Sequence, residues 1–179
     1  MTFRPQRLKP ALMMVALTLG LALIPFTSNQ VMADMFGFFK RYDVHLSPEV
    51  HGRITLDGKP VPGLKVYREL FYEKRYVDQT TTDSDGYFSF PEKEIKSSAP
   101  GKLFGETHVT QVITADHQEE TYLLWRTSTS RIKPSEEITK KLKSLHCDLN
   151  TPEKLQHFPM AEHPSFTHNV SSICRWPNQ

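Results

Sequence analysis

Cysteine and histidine are the residue types in this chain best suited to chemistry, with two of the first and eight of the second. Cys147 and Cys174 could pair as a disulfide, leave a reactive thiol, or supply half of a metal site. A thiol nucleophile needs a base beside it in space. His146 adjoins Cys147, yet neighbours on a strand point to opposite faces. No Cys-x-x-Cys occurs. In an exported chain the pair reads as one disulfide. It would contribute roughly 3.5 kcal/mol in the chain-entropy estimate. It would also tie down a proline-rich tail that has little other means of ordering itself.

The tail carries His157, His163 and His168, with His146 just before it. Their spacing is not that of a zinc-binding helix. Acids such as Glu162 are close in sequence, but the fold would have to assemble a site, and scattered polar histidines are the better reading. His45 and His51 flank Pro48 without a partner at ligand spacing, and read as ordinary surface or edge histidines. There is no Gly-x-Ser-x-Gly, no His-Glu-x-x-His and no phosphate loop. The expectation is therefore no catalytic residue, no metal ligand and no cofactor. A small hydrolase, its site built from distant residues, is the alternative from another class. Asn169-Val170-Ser171 matches a glycosylation triplet, which carries little weight in a bacterial cell.

Residues 1–33 read as a secretory signal. Arg4, Arg7 and Lys9 form a basic start, Ala11 to Ile24 is an apolar run ended by Pro25, and Val31-Met32-Ala33 is a small-x-small cleavage site. The mature chain would begin at Asp34. An uncleaved anchor is the alternative, but the run falls short of the ~20 residues a spanning helix needs. No cysteine sits just after the cleavage point, which argues against a lipid anchor. No other long apolar run occurs, so no stable membrane insertion is expected after cleavage. The expected location is the periplasm of a Gram-negative bacterium, with secretion as the alternative.

The formal charge of +2 includes the three cations of the signal. The remainder is near neutral, which leaves no electrostatic footprint for nucleic acid. Residues 34–179 suit one domain. Phe36, Phe38 and Phe39 beside Lys40 and Arg41 could touch a membrane surface. Packing of this segment on the domain is the preferred reading.

The elements that must position these residues centre on Val50 to Phe90. Ile54 and Leu56 share one face of a strand. Asp57-Gly58 is a hairpin turn signal, since Gly accepts φ > 0. Pro60 and Pro62 keep the connection extended, Gly63 follows, and Val66 restarts a strand. Asp83-Ser84-Asp85-Gly86 is a second turn, followed by the strand formers Tyr87, Phe88 and Phe90.

This stretch resembles the transthyretin-like and carboxypeptidase-regulatory-like sandwich family. Gly52, Ile54, Gly58, Pro60, Val61, Gly63 and Val66 meet the first part of that family's pattern. Thr82, Asp85, Gly86, Tyr87 and Phe90 meet the second. The resemblance implies a fold and no single function, because this sandwich is grafted onto many unrelated proteins. A transthyretin-like enzyme that hydrolyses hydroxyisourate ends in Tyr-Arg-Gly-Ser, whereas this chain ends Arg175-Trp176-Pro177-Asn178-Gln179. That departure argues against the activity. The mature chain also looks like an exported bacterial family built on the module.

Outside the signature, Leu64 to Tyr72 reads as a strand with a bulge or face change, placing Leu64, Val66 and Arg68 on one side. Glu73-Lys74-Arg75 is a hairpin tip, and Tyr76 to Thr82 returns as a strand. Glu92 to Gly105 reads as a loop. Glu106 to Ala115 and Glu119 to Ser128 form a hairpin around Asp116-His117-Gln118, with Trp125 in or near the core. Ser135-Glu136-Glu137-Ile138 begins like a helix, with Ser135 as N-cap and acids in the first turn, and a short helical or irregular turn is expected there. Lys143 to Leu149 reads as a strand. The rest is irregular until a last candidate strand at Val170 to Trp176.

The sequence thus points to an all-β, antiparallel, Ig-like (prealbumin-like) β-sandwich of about seven strands with an irregular, disulfide-linked C-terminal extension. Its expected divisions are a signal at 1–33, a sandwich at 34–130 and an extension at 131–179. Gly58, Gly63, Asp85 and Gly86 are turn residues of the fold. The expected function is a non-enzymatic exported binding or structural module with an unknown protein partner, such as a toxin-immunity protein. An envelope or glycan adaptor is the alternative.

Overall fold

The computed structural model describes residues 40–102, 108–161 and 163–176. The signal reading, the Phe36 to Phe39 segment, Gly105 and Glu162 lie outside the described residues. Residues Arg41–Gln179 form one compact unit, so nothing divides the chain at 130. The strands are β1 (Tyr42–Ser47), β2 (Val50–Leu56), β3 (Lys59–Pro60), β4 (Lys65–Tyr72), β5 (Lys74–Thr81), β6 (Tyr87–Phe90), β7 (Lys93–Ser97), β8 (Val109–His117), β9 (Glu120–Thr129), β10 (Leu145–Asp148), β11 (Lys154–Pro159) and β12 (Thr167–Ser172). One helix, α1 (Glu136–Leu142), joins β9 to β10.

The expected all-β sandwich is what forms. One layer is a six-stranded sheet in the order β11-β12-β9-β8-β4-β5. Facing it are a smaller sheet, in which β2 pairs with β10, β3 and β6, and a separate β1-β7 ribbon. The main core lies against the smaller sheet and includes Val66, Ile113, Trp125, Ile54, Phe88 and Leu145. A second cluster lies under the ribbon, where Val44 and Leu46 meet Leu70, Tyr72 and Val109. Burying these side chains at roughly 25 cal/mol per Å² of apolar surface is the main force holding the layers together.

Trp125 is fully buried, as its apolar neighbourhood suggests. Leu124 beside it is buried too, because the β8-β9 register shifts between Ile113 and Thr114. The extra residue on β9 turns two consecutive side chains inward. The bulge is therefore here and not in β4, whose Val66, Arg68, Leu70 and Tyr72 all face inward in unbroken alternation.

The turns form as read. Asp57 and Gly58 both have positive φ (52° and 75°), the geometry of a tight hairpin turn. Gly63 and Gly86 have φ of 71° and 79°. A Cβ on Gly86 would collide with the Ile54 carbonyl oxygen. Asp83 Oδ1 fixes that turn by accepting hydrogen bonds from the Asp85 and Tyr87 amides, each at 2.9 Å. Gly52 is required by packing: a Cβ there would overlap the Phe88 ring, its neighbour across the β2-β6 pair.

Several expectations need correction. The stretch read as a loop after Glu92 contains β7, which pairs with β1, and a 3-10 turn at Ala99–Gly101. The sandwich has more than seven strands: nine lie before residue 130, β7 among them, and the extension supplies three more. β10 pairs with β2 in parallel, Leu145 against Gly52 and Cys147 against Ile54, so the sandwich is not wholly antiparallel. β11 and β12 extend the six-stranded sheet. Phe158, Val170, Ile173 and Trp176 belong to the main core. Residues after 131 are thus a structural part of the sandwich, because their alternating apolar residues complete its buried face.

Candidate functional site

Four of the buried polar residues, His45, Gln111, Ser135 and His168, gather where β1, β8, β9, α1 and β12 meet. Gln111 sits on the buried face of β8. Its Nε2 donates to the Leu46 carbonyl at 2.8 Å, and its Oε1 accepts from Trp125 Nε1 at 3.2 Å. A buried amide satisfied in this way fixes its neighbours without a desolvation penalty. Ser135 occupies the N-cap position of α1, but its hydroxyl makes no capping bond. Instead its oxygen lies 3.0 Å from His168 Nε2 on β12. These groups, with His45, Arg131 and Lys133, line a cavity of about 10 Å³, room for a single water.

A serine beside an imidazole is the start of an acyl-transfer centre. Both residues are buried here, and the cavity admits no substrate. The pair ties the start of α1 to β12.

An open cleft of about 360 Å³ adjoins this cavity and shares Thr129, Arg131 and His168 with it. Its far wall is the turn between β11 and β12, which contributes Met160, His163 and Phe166. That turn is held by backbone bonds: Met160 and Phe166 N–H donate to the Phe166 and His163 carbonyls at 3.2 and 2.9 Å, and His163 N–H to the Met160 carbonyl at 3.1 Å. The Phe166 ring is 66% exposed and meets the His163 ring edge-on. The cleft thus offers apolar surface, hydroxyls and basic side chains in a volume of the size that holds small ligands.

Of the residues singled out by sequence, His45, His163 and His168 line the cavity or the cleft, and the others fall elsewhere. Cys147 and Cys174 are bonded to each other. Gly58, Gly63, Asp85 and Gly86 serve turns and line neither cavity nor cleft. His146 is exposed and faces away from Cys147. His157 Nδ1 lies 2.7 Å from Asn169 Oδ1. His51 is a surface histidine paired with Glu49 at 2.9 Å, as read. His45 is not: it is only 7% exposed, and it faces Glu92 and Glu94. No local signal marks this, since β7 that brings Glu94 alongside reads as a charged loop.

Another buried charge passes without a sequence signal beyond its inward phase on β4. Arg68 is fully enclosed and donates to Asp78 Oδ2 at 2.7 Å and to the Pro91 carbonyl at 2.7 Å. Lys93 Nζ reaches Asp78 Oδ1 at 2.9 Å. Burial alone would raise the Asp78 carboxyl, but hydrogen bonds from Lys93 and Arg68 outweigh it and hold the group below its ordinary value. This network clamps β4, β5 and the start of β7.

Residues 50–152 match the model of one family, the Domain of unknown function (DUF6795). The chain belongs to the DUF6795 family. No curated protein and no solved structure matches it. The DUF6795 segment runs from β2 past β10 and so contains Gln111, Arg131, Ser135 and Cys147. It leaves out β1, β11 and β12, which bring His45, His168, Phe166 and Cys174.

Proposed function

We propose that this DUF6795 protein is an exported, non-enzymatic binding module of the periplasm, and that it takes an acidic surface segment of a partner protein in the cleft beside Phe166. The observation that carries this reading is the composition of that cleft. The exposed Phe166 ring and Met160 line it together with Arg131, His163 and His168. Aromatic and arginine side chains are the commonest anchors of protein interfaces, and a basic rim favours carboxylates. The basic start, apolar run and small-x-small site of residues 1–33 support export. The enclosure of the Ser135–His168 pair speaks for binding over hydrolysis. A toxin-neutralising role is one form such a module takes. The transthyretin-like turn signature agrees with a scaffold of this kind. The hydroxyls of Ser128, Ser130 and Thr167 around the cleft favour a second reading, an envelope glycan as the occupant.

A photo-crosslinking residue at position 166, in the chain expressed with its own leader, should trap one protein of defined mass. Arg131→Glu should reduce that adduct at least tenfold. A polysaccharide adduct would favour the glycan reading. Failure to form any adduct, or an adduct indifferent to Arg131→Glu, overturns both. The export half of the proposal is checked by N-terminal sequencing of the periplasmic protein, which should begin at Asp34. Full-length protein held in the membrane fraction would overturn that half.

A further inference from the structure

We propose that His45, Glu92 and Glu94 form a site for a divalent transition ion of the zinc type, at the seam between β1 and β7. His45 stands directly opposite Glu94 in the antiparallel register, and Glu92 precedes β7 by one residue. His45 Nδ1 lies 3.1 Å from Glu92 Oε1 and 3.7 Å from Glu94 Oε1. Donor atoms around a tetrahedral ion with bonds of about 2.0–2.1 Å stand roughly 3.3 Å apart. The two observed separations bracket that spacing.

The burial of His45 is the independent sign. Its side chain is 6% exposed, while the two carboxylates are 56% and 54% exposed. Neither ring nitrogen makes a hydrogen bond. Glu92 is close enough to pair with Nδ1, but it is not aligned with the ring as a hydrogen-bond acceptor. Two buried ring nitrogens without hydrogen bonds are costly. An ion on Nδ1 would satisfy one of them. The other could be met by the single water for which the adjoining cavity has room, the supporting contact that ligating imidazoles commonly make. Lys93 lies between the two glutamates in sequence, but its ammonium goes to Asp78 at 2.9 Å. It does not neutralise them.

An imidazole with two carboxylates selects zinc and its neighbours over calcium or magnesium, which take oxygen ligands alone. Three protein donors leave a fourth position for water or for a ligand from a partner. The half-exposed carboxylates give the ion its path in. This proposal is independent of the cleft beside Phe166.

The test uses metal-free protein purified after expression with its own leader, titrated with Zn²⁺ alone and with Co²⁺ as an optical probe. The expected result is one ion per chain, a visible Co²⁺ spectrum of a four-coordinate site, and a rise in melting temperature of about 5–10 °C at saturation. His45→Gln and Glu94→Gln should each weaken binding at least tenfold, while His163→Gln should leave it unchanged. Glu94 is exposed, so its variant keeps the question answerable if His45→Gln fails to fold. Absence of one-to-one binding, or binding unaltered in Glu94→Gln, would overturn the site.

Discussion

The indole of Trp176 stands edge to face against that of Trp125, their ring centroids 6.0 Å apart. Trp125 lies on β9 within the six-stranded sheet, and Trp176 is the last described residue of the chain. Phe158 of β11 meets Trp176 at 5.3 Å, and Trp176 Nε1 donates to the Lys141 carbonyl of α1 at 2.9 Å. Trp176 therefore seals the main core between helix and sheet.

Trp176→Ala should then cost about 3–5 kcal/mol, a loss of the same order as Trp125→Ala. Denaturant melts of both variants check this. A loss under about 1 kcal/mol for Trp176→Ala, the range of surface changes, would place the indole on the surface.

The same packing changes the role of the disulfide. Cys147 sits on β10 and Cys174 follows β12, and both strands are held by backbone pairing. The double variant Cys147→Ser, Cys174→Ser should lose roughly 3 kcal/mol and still melt in one cooperative step. Residues 150–176 should stay resistant to protease until the whole domain unfolds. Selective cleavage there in the folded double variant would show that the bond, and not the strands, holds the tail.

What sequence revealed was local. Asp57-Gly58 and Asp83 to Gly86 announce their turns because the required φ belongs to those residues themselves. Leu145, Cys147 and Leu149 announce β10 by alternation. What it hid was non-local. β7 reads Lys-Glu-Ile-Lys-Ser, and only its pairing with β1 makes it a strand. Pro152 and Pro159 made the tail look irregular, yet Pro159 is the last residue of β11, an edge strand where a missing N–H costs nothing. The site was the least legible part. His45 is buried through its pairing with Glu94 and its backbone bond to the Ile132 carbonyl at 2.9 Å, and neither partner is near it in sequence.

Gly86→Ala tests the turn most directly. The side chain would be strained at φ 79° and would press on the Ile54 carbonyl, which also accepts the Val61 amide at 3.2 Å. A loss of about 2 kcal/mol or more is expected, above the ~1 kcal/mol that φ > 0 alone costs. Crosslinking from position 166 should persist in the folded fraction. A fully stable Gly86→Ala protein would show the turn to be more yielding than this packing allows.

Asp148 makes the fold sensitive to acid. Its Oδ2 accepts hydrogen bonds from the Thr55 hydroxyl and the Gly58 amide, each at 2.8 Å, and so ties β10 to the β2-β3 turn. Burial alone would raise its carboxyl, but the bonds from Gly58, Thr55 and the Asn150 amide outweigh it and hold the group below its ordinary value. A carboxyl lowered on folding stabilises the protein fully above its unfolded value of about 3.9, and that contribution disappears as pH falls through the lower folded value. Asp148→Asn should therefore cost about 1–2 kcal/mol at neutral pH, allowing for its partly exposed setting. The gap to the unaltered protein should close as pH falls below about 4. Asp78 is lowered in both proteins, so both keep some acid sensitivity and the difference between them isolates Asp148. Urea melts of the two proteins from neutral pH downward decide the matter. A gap that stays constant into strong acid would mean that Asp148 acts through its shape and not through its charge.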